Sequence, residues 1–400
     1  MKKKIIYKNF IDKKYLNTKL NINYYEKLKE IVVNLDNTKD SFHSLSKKFK
    51  FSFEIKDLKE FKKYKSVVII GMGGSILGAE AIYNFLEKKI KKKFFFLDNI
   101  DEVNLLKTRK KINKKKTLYI IISKSGFTTE TLSNFALLKI IKKNKKNIII
   151  ISEKSKNPLY LLSKKMNFFH IEHKNYISGR YSILTEVGML PAYLMGLSIS
   201  KLRKNLSVHF EKKNNSFLKD SSTKLTKLIK DKQIKNLIFF NYVPQLNRFL
   251  FWYQQLIAES LGKKGIGFLP VISSAPKDHH SLLQLYLDGP RDKLFYIFSS
   301  EINNKIKISS KALGKDLNFL KNKSLSEIKK AQKNAFIKTL QKKKIPYREF
   351  KIKEFSEEVL GELFSYFIIE TAVIGKLSSI NPFNQPAVEQ VKVITKKNLI

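Results

Sequence analysis

The sequence predicts an α/β protein with two doubly wound parallel sheets, each sandwiched between helices. Three observations predict it. Residues 66–171 alternate short apolar runs with segments of helical period. The runs are apolar on consecutive positions, not alternate ones. The pattern then returns between residues 236 and 352. Consecutive burial is how parallel strands covered on both faces read, and the alternation implies βαβ units.

The first set of strands is read at SVVIIG (66–71), KFFFLD (93–98), TLYIIIS (117–123), NIIIIS (147–152) and NFFHIE (167–172). Each is rich in Ile, Val or Phe. Segments such as SILGAEAIYNFLEKK and TETLSNFALLKIIKK lie between them and carry helix-period apolar residues. The second set is NLIFFN (236–241), KLFYIFS (293–299) and PYREFKI (346–352), with helices around 246–261, 326–341 and 356–378. The expected organisation is a helical N-terminal segment (1–60), a first domain (61–205), a second domain (206–380) and a C-terminal helix (381–400). The polar stretch EKKNNSFLKDSSTK (211–224) reads as exposed connecting chain.

The chain has 400 residues, ample for two domains, and 43% are hydrophobic. It has no cysteine, which removes disulfides, thiolate nucleophiles and cysteine metal sites from consideration. The basic start MKKKIIYKNF has no apolar segment of the signal-peptide kind, and no apolar run reaches the ~18 residues of a membrane span. The formal charge of +45 invites a nucleic-acid reading. Only six basic residues are arginine, namely Arg109, Arg180, Arg203, Arg248, Arg291 and Arg348. Base-reading and stacking sites lean on arginine forks, whereas these lysines fall in short runs within polar segments. A solvated surface is the simpler account, and nucleic acid is not expected as a partner. The field still draws in anionic substrates.

Ligands of open α/β sheets bind beyond the carboxyl ends of the strands, and two such ends are unusual here. VVIIGMGGSILG (67–78) places Gly71, Gly73 and Gly74 where backbone can approach a ligand, with Ser75 at a helix start. It is not the dinucleotide fingerprint, because Ile76 stands where the third glycine belongs. ISKSGFTTET (122–131) gathers Ser123, Lys124, Ser125 and Thr128 around Gly126. A helix cap needs one hydroxyl. Several, with an ammonium and a helix start, suit a phosphomonoester. In the second half, Gln255 and Glu259 are spaced i,i+4 on one helix face. Asp278-His279-His280 offers adjacent histidines without companion metal-ligand spacing. Arg180 is an arginine in a lysine-rich chain, which hints at a fork-shaped contact.

Six segments in order, IGMGGSILG, SKSGFTTET, SGRYSILTEVGMLP, QQLIAESLGK, HHSLLQLYLDGP and NPFNQPAVEQVK, resemble the phosphoglucose isomerase family over residues 70–392. The resemblance implies two sugar-isomerase-type domains with the active site in the cleft between them. It implies aldose–ketose isomerisation of glucose 6-phosphate and fructose 6-phosphate, in glycolysis and gluconeogenesis, in the cytoplasm, with no cofactor and no metal. Gly74 and Ser75 would touch the phosphate, with Ser123, the Lys124 backbone, Ser125 and Thr128 forming its cradle and Glu130 lining the site. Glu259 would be the general base, with Gln255 beside it, and Arg180 would face the reacting carbons. His280, donated by the neighbouring subunit of a homodimer, and Lys392 would open the sugar ring, with Gln385 nearby. Val391 and Ala387 stand where the family often has glycine. Two other readings differ in what they require. A relative accepting mannose 6-phosphate would keep the whole set. A noncatalytic sugar-phosphate-binding module would need the cradle but not Glu259, Arg180 and Lys392.

Overall fold

Two five-stranded sheets organise the chain. The computed structural model describes residues 3–211, 214–301, 306–309 and 315–400. In chain order the strands are β1 (Ile5–Asn9), β2 (Ser66–Ile70), β3 (Lys93–Leu97), β4 (Thr117–Ile122), β5 (Ile148–Ser152), β6 (Phe169–Glu172), β7 (Asn236–Asn241), β8 (Leu269–Ser274), β9 (Lys293–Ser300) and β10 (Tyr347–Ile352). The first sheet has the order β3-β2-β4-β5-β6, and every pair in it is parallel. The second has the order β1-β10-β9-β7-β8, parallel except for β1 against β10.

The predicted strands form because isoleucine-, valine- and phenylalanine-rich runs can bury both faces at once. All six residues of β4 are buried, as are all five of β5. In the first sheet β2 leads to β3 on one side while β4 lies on the other, so the order reverses between β2 and β4. In the second it reverses between β7 and β9. These reversal points open crevices at the carboxyl ends of the strands. Gly71–Ser75 and Ser123–Thr128 follow β2 and β4 directly, so both motifs meet at the first crevice.

Two expectations are extended and one is corrected. Residues 1–60 are mainly helical as expected, but also hold a strand, Ile5–Asn9, which pairs antiparallel with β10, from Ile5 opposite Ile352 to Asn9 opposite Arg348. A further strand, β8, lies at the edge of the second sheet. The stretch 211–224 is not exposed connecting chain. Apart from Lys212 and Lys213, which lie outside the described residues, it runs into helix Ser216–Asp231, where Leu218 and Ser221–Lys224 are buried. Most of its buried polar groups are satisfied internally, the Ser222 hydroxyl excepted. Ser221 Oγ donates to Glu370 Oε1 at 2.6 Å, Thr223 Oγ1 to the Lys219 carbonyl at 2.9 Å, and Lys224 Nζ to the Ile11 carbonyl at 2.9 Å.

Helix Glu357–Leu377 runs buried through most of its length, and helix Asn247–Leu261 packs against both it and helix Leu77–Leu86. Helix Leu77–Leu86 follows β2 of the first sheet and helix Asn247–Leu261 follows β7 of the second. Their contact therefore sets Gln255 and Glu259 against the glycine turn.

Candidate active site

The loop expected to cradle an anion lies at the end of β4. Ser123 is 1% exposed, and its hydroxyl lies 2.8 Å from Thr128 Oγ1 while accepting from the Gly126 N–H at 3.1 Å. Ser125 Oγ accepts from the Phe127 N–H at 3.3 Å. Thr128 is the N-cap residue of helix Thr129–Leu137, yet its hydroxyl faces Ser123 and no side chain caps the helix. The first-turn N–H groups are thereby left for an anion. Gly126 has φ +70°, and a Cβ there would lie 1.9 Å from Asn157 Oδ1, so only glycine closes this loop. The Lys124 ammonium turns aside to donate to the Asn175 carbonyl at 2.7 Å and sits 3.7 Å from Glu153. Burial holds its pKa below the ordinary lysine value. Glu130 is half-buried in the first helical turn.

The Gly71–Ser75 turn lies between this cradle and the second half of the molecule. A Cβ on Gly71 would meet the Ile122 carbonyl at 3.1 Å on one side. On the other, a Cβ on Gly73 would meet Gln255 Nε2 at 2.6 Å. Gly74 is tighter still, with a hypothetical Cβ 2.3 Å from the Gly179 carbonyl carbon and 2.5 Å from the Arg180 nitrogen. The glycines therefore let backbone touch backbone, and they hold Gln255, Arg180 and the turn together.

Arg180 is 2% exposed and every face of its guanidinium is used. Nε donates to Ser260 Oγ at 2.9 Å. Nη2 donates to the carbonyls of Pro382 at 2.6 Å and Asn384 at 3.1 Å. Around Nη1 stand Glu259 Oε2 at 3.0 Å, Gln385 Oε1 at 2.9 Å and Ser178 Oγ at 3.3 Å. Nη1 has only two hydrogens for these three acceptors. Glu259 accepts a second bond through Oε1 from Gln255 Nε2 at 2.9 Å, and Gln255 Oε1 is buried with no hydrogen-bond partner among the described residues. A cavity of about 460 Å³, lined by Lys124, Ser178, Gly179 and Gln385 among others, opens beside this group. Glu259, Gln255 and the hydroxyl-bearing residues Ser123, Ser125 and Thr128 do not line it.

The structure thus brings together Gly74, Ser75, Ser123, Lys124, Ser125, Thr128, Arg180, Gln255, Glu259 and Gln385. Glu130 stands half-buried in the helix turn that follows Thr128, and two predicted residues lie outside. His280 is exposed on the loop after β8, while its neighbour His279 points inward and bonds the Tyr242 hydroxyl at 2.7 Å. Asp278 shapes that loop, accepting from Ser273 Oγ at 2.8 Å, the Ser274 N–H at 2.7 Å and Ser281 Oγ at 3.0 Å. Burial alone would raise its pKa, but these bonds outweigh it and hold the carboxyl below its ordinary value. Lys392 is exposed on helix Glu389–Asn398, where it pairs with Glu389 at 2.8 Å.

Sequence reasoning missed several supporting residues. Ser260 is fully buried; its hydroxyl accepts from Arg180 and lies 3.0 Å from the Tyr181 hydroxyl. Trp252 Nε1 donates to the Arg180 carbonyl at 3.1 Å. Lys263 Nζ donates to the Asn381 carbonyl at 2.6 Å; burial, with Arg180 nearby, depresses its pKa to about 8. One signal was available: Trp252, Leu256 and Ser260 form an i,i+4 stripe, and a hydroxyl on a buried stripe needs a partner.

Two doubly wound, mainly parallel sheets in one chain are the architecture of the sugar-isomerase class of α/β protein. The family model for phosphoglucose isomerase matches residues 16–399, and the chain belongs to that family. It is 35% identical over 346 residues to the glucose-6-phosphate isomerase of Methanocaldococcus jannaschii, covering 84% of each chain. It is 31% identical over 351 residues to that of Campylobacter jejuni, covering 84% of this chain and 86% of the other. Among solved structures, a hypothetical protein from Thermus thermophilus superposes with a TM-score of 0.83 at 24% identity, covering 98% of this chain and 100% of the other. A glucose-6-phosphate isomerase from Chlamydia trachomatis gives 0.78 at 17% identity, covering 99% and 88%. At these identities the two structures speak for the fold alone.

Proposed function

We propose that the protein interconverts glucose 6-phosphate and fructose 6-phosphate through an enediol(ate). The observation that carries this is the junction of Glu259, Gln255 and Arg180 with the glycine turn beside the anion cradle. Isomerisation moves one proton between C2 and C1, which a single carboxylate near both carbons can take and return. Glu259 is the base. The Arg180 guanidinium stabilises the oxygen on which charge develops, and that oxygen takes a hydrogen of Nη1 now shared among Glu259, Gln385 and Ser178. Ser123, Ser125, Thr128 and the first-turn N–H groups hold the phosphate, with Gly74 and Ser75 beside them. This remote grip fixes the carbons against Glu259. Proton transfer within one molecule needs no redox cofactor.

Ring opening needs an acid on the ring oxygen and a base on the anomeric hydroxyl, and His280 and Lys392 are the proposed pair. Their exposure in a single chain fits a homodimer in which His280 completes the neighbouring subunit's site. Glu130 and Gln385 complete the lining. The reading takes residues 61–205 and 206–380 as the two domains and places the protein in the cytoplasm. No helix among the described residues is long and apolar enough to cross a membrane. Purified protein assayed with fructose 6-phosphate, glucose 6-phosphate and mannose 6-phosphate side by side tests the proposal. Turnover between the first two is expected, and its absence in folded protein refutes it.

A further inference from the structure

We propose that the second sheet carries its own binding site for a phosphate-bearing small molecule, in a lysine-lined cavity at the carboxyl ends of β7 and β9. This is the point where the strand order of the second sheet reverses, the counterpart of the crevice that holds the cradle in the first. The cavity has a volume of about 370 Å³, room for a phosphorylated metabolite.

Its construction follows from one helix. Helix Leu325–Lys342 lies over the sheet but buries only Phe336 and Leu340, both in its C-terminal half. Its N-terminal half presents Lys329, Lys330 and Lys333 to the cavity, and Lys351 of β10 joins them from the sheet. Among the described residues, the carboxylates nearby do not balance these four ammonium groups. Glu301 pairs with Lys351, and Glu349 lies 3.7 Å from Lys333. Burial, with Lys351 close by, presses Lys333 below its ordinary pKa, a cost that an anion would relieve.

Ser299 points to a ligand independently. It sits opposite Lys351 in the β9–β10 register, is 6% exposed and lines the cavity, yet its hydroxyl has no hydrogen-bond partner among the described residues. A buried hydroxyl without a partner is unfavourable by itself, and with almost no surface of its own it meets a phosphate oxygen only when an occupant displaces its neighbours. Tyr242, which also lines the cavity, bonds His279. An occupant would therefore lie one side chain away from the loop that bears His280.

Calorimetric titration of the full-length protein with inorganic pyrophosphate tests this, using Ser125→Ala/Thr128→Ala to weaken the cradle. In that background one class of binding should persist. Adding Lys329→Gln/Lys333→Gln, or Ser299→Ala alone, should weaken it by about tenfold, while Lys114→Gln/Lys115→Gln, on a distant surface, should not. The Ser299→Ala change removes one oxygen, and its unfolding midpoint shows whether the fold is kept. Loss of all binding with the cradle variant, or equal weakening by the distant lysine pair, overturns the proposal.

Discussion

Glu259 and Arg180 stand 79 residues apart in the chain and meet at 3.0 Å, carboxylate oxygen to guanidinium nitrogen. The arginine side chain is 1% exposed and the glutamate 31%, so the pair is anchored on one side and open on the other. That asymmetry is what the proposed role of Glu259 as proton carrier asks of the pair.

Replacing Glu259 by Gln keeps the side chain's shape and removes its basicity. Turnover of fructose 6-phosphate in a coupled assay should fall by about 10²–10⁴-fold, with phosphosugar binding by calorimetry largely intact. A Glu259→Gln protein that still isomerises at near the parental rate removes Glu259 from the role of base.

Arg180→Lys keeps the charge and loses the fork. One ammonium cannot reach Ser260, Glu259, Gln385 and the carbonyls of Pro382 and Asn384 together. We expect a loss of ~3 kcal/mol in denaturant unfolding, since buried acceptors are left unpaired, and a fall in kcat of about 10²-fold. A variant with unchanged stability contradicts the anchoring of residues 382–385 by this side chain.

The glycine turn permits a controlled comparison. Gly74→Ala places a methyl 2.3 Å from the Gly179 carbonyl carbon, where neither backbone can yield, whereas a Cβ on Gly179 meets nothing within 4 Å. Gly74→Ala should cost ~1–3 kcal/mol in stability and raise KM, whereas Gly179→Ala, whose methyl enters an open cavity, should leave stability little changed. Equal effects at the two positions count against the close approach.

Glu80 supplies a pH dependence. It is 3% exposed, and burial raises its pKa to about 7; Arg248 at 3.5 Å opposes this rise and Asp98 adds to it. The folded state thus holds its proton more tightly than the unfolded chain. The contribution is fully present below pH 4.5 and is lost as pH rises through about 7. Glu80→Gln should flatten this fall and be more stable than the parent above pH 7, by up to ~3 kcal/mol. Denaturant midpoints measured from pH 4 to 8 check it, and a parallel pair of curves contradicts it.

A shared site has a genetic signature. Mixing inactive His280→Ala and Glu259→Gln protomers under conditions of subunit exchange should restore part of the activity, because one mixed site recovers both groups. No rescue despite proven exchange argues for self-contained sites.

The strands legible in sequence were those whose burial is local and continuous, such as the run Thr117–Ile122. β1 was hidden because IIYKN is a short run of three apolar residues ending in two polar ones, and its partner lies near the other end of the chain. β8 was hidden because Pro270 and two serines dilute it, and the edge of a sheet tolerates proline. The cradle and the glycine turn were legible because each motif is short and its chemistry is local. Ser260 and Lys263 were not, because their importance comes from Arg180 and the 381–385 segment, which only folding brings to them. The arginines follow the same logic. Arg180 and Arg348 are buried in fork-shaped contacts, Arg348 with Glu370 at 2.7 Å, where a lysine could not substitute.

The antiparallel pairing of β1 with β10 has a consequence for the order of assembly. Residues 5–9 emerge from the ribosome some 340 residues ahead of their partners at 348–352, an interval of tens of seconds at ~5–20 residues per second. The first sheet has all its strands well before that, so the nascent chain can finish one half while its leading segment waits unpaired for the other.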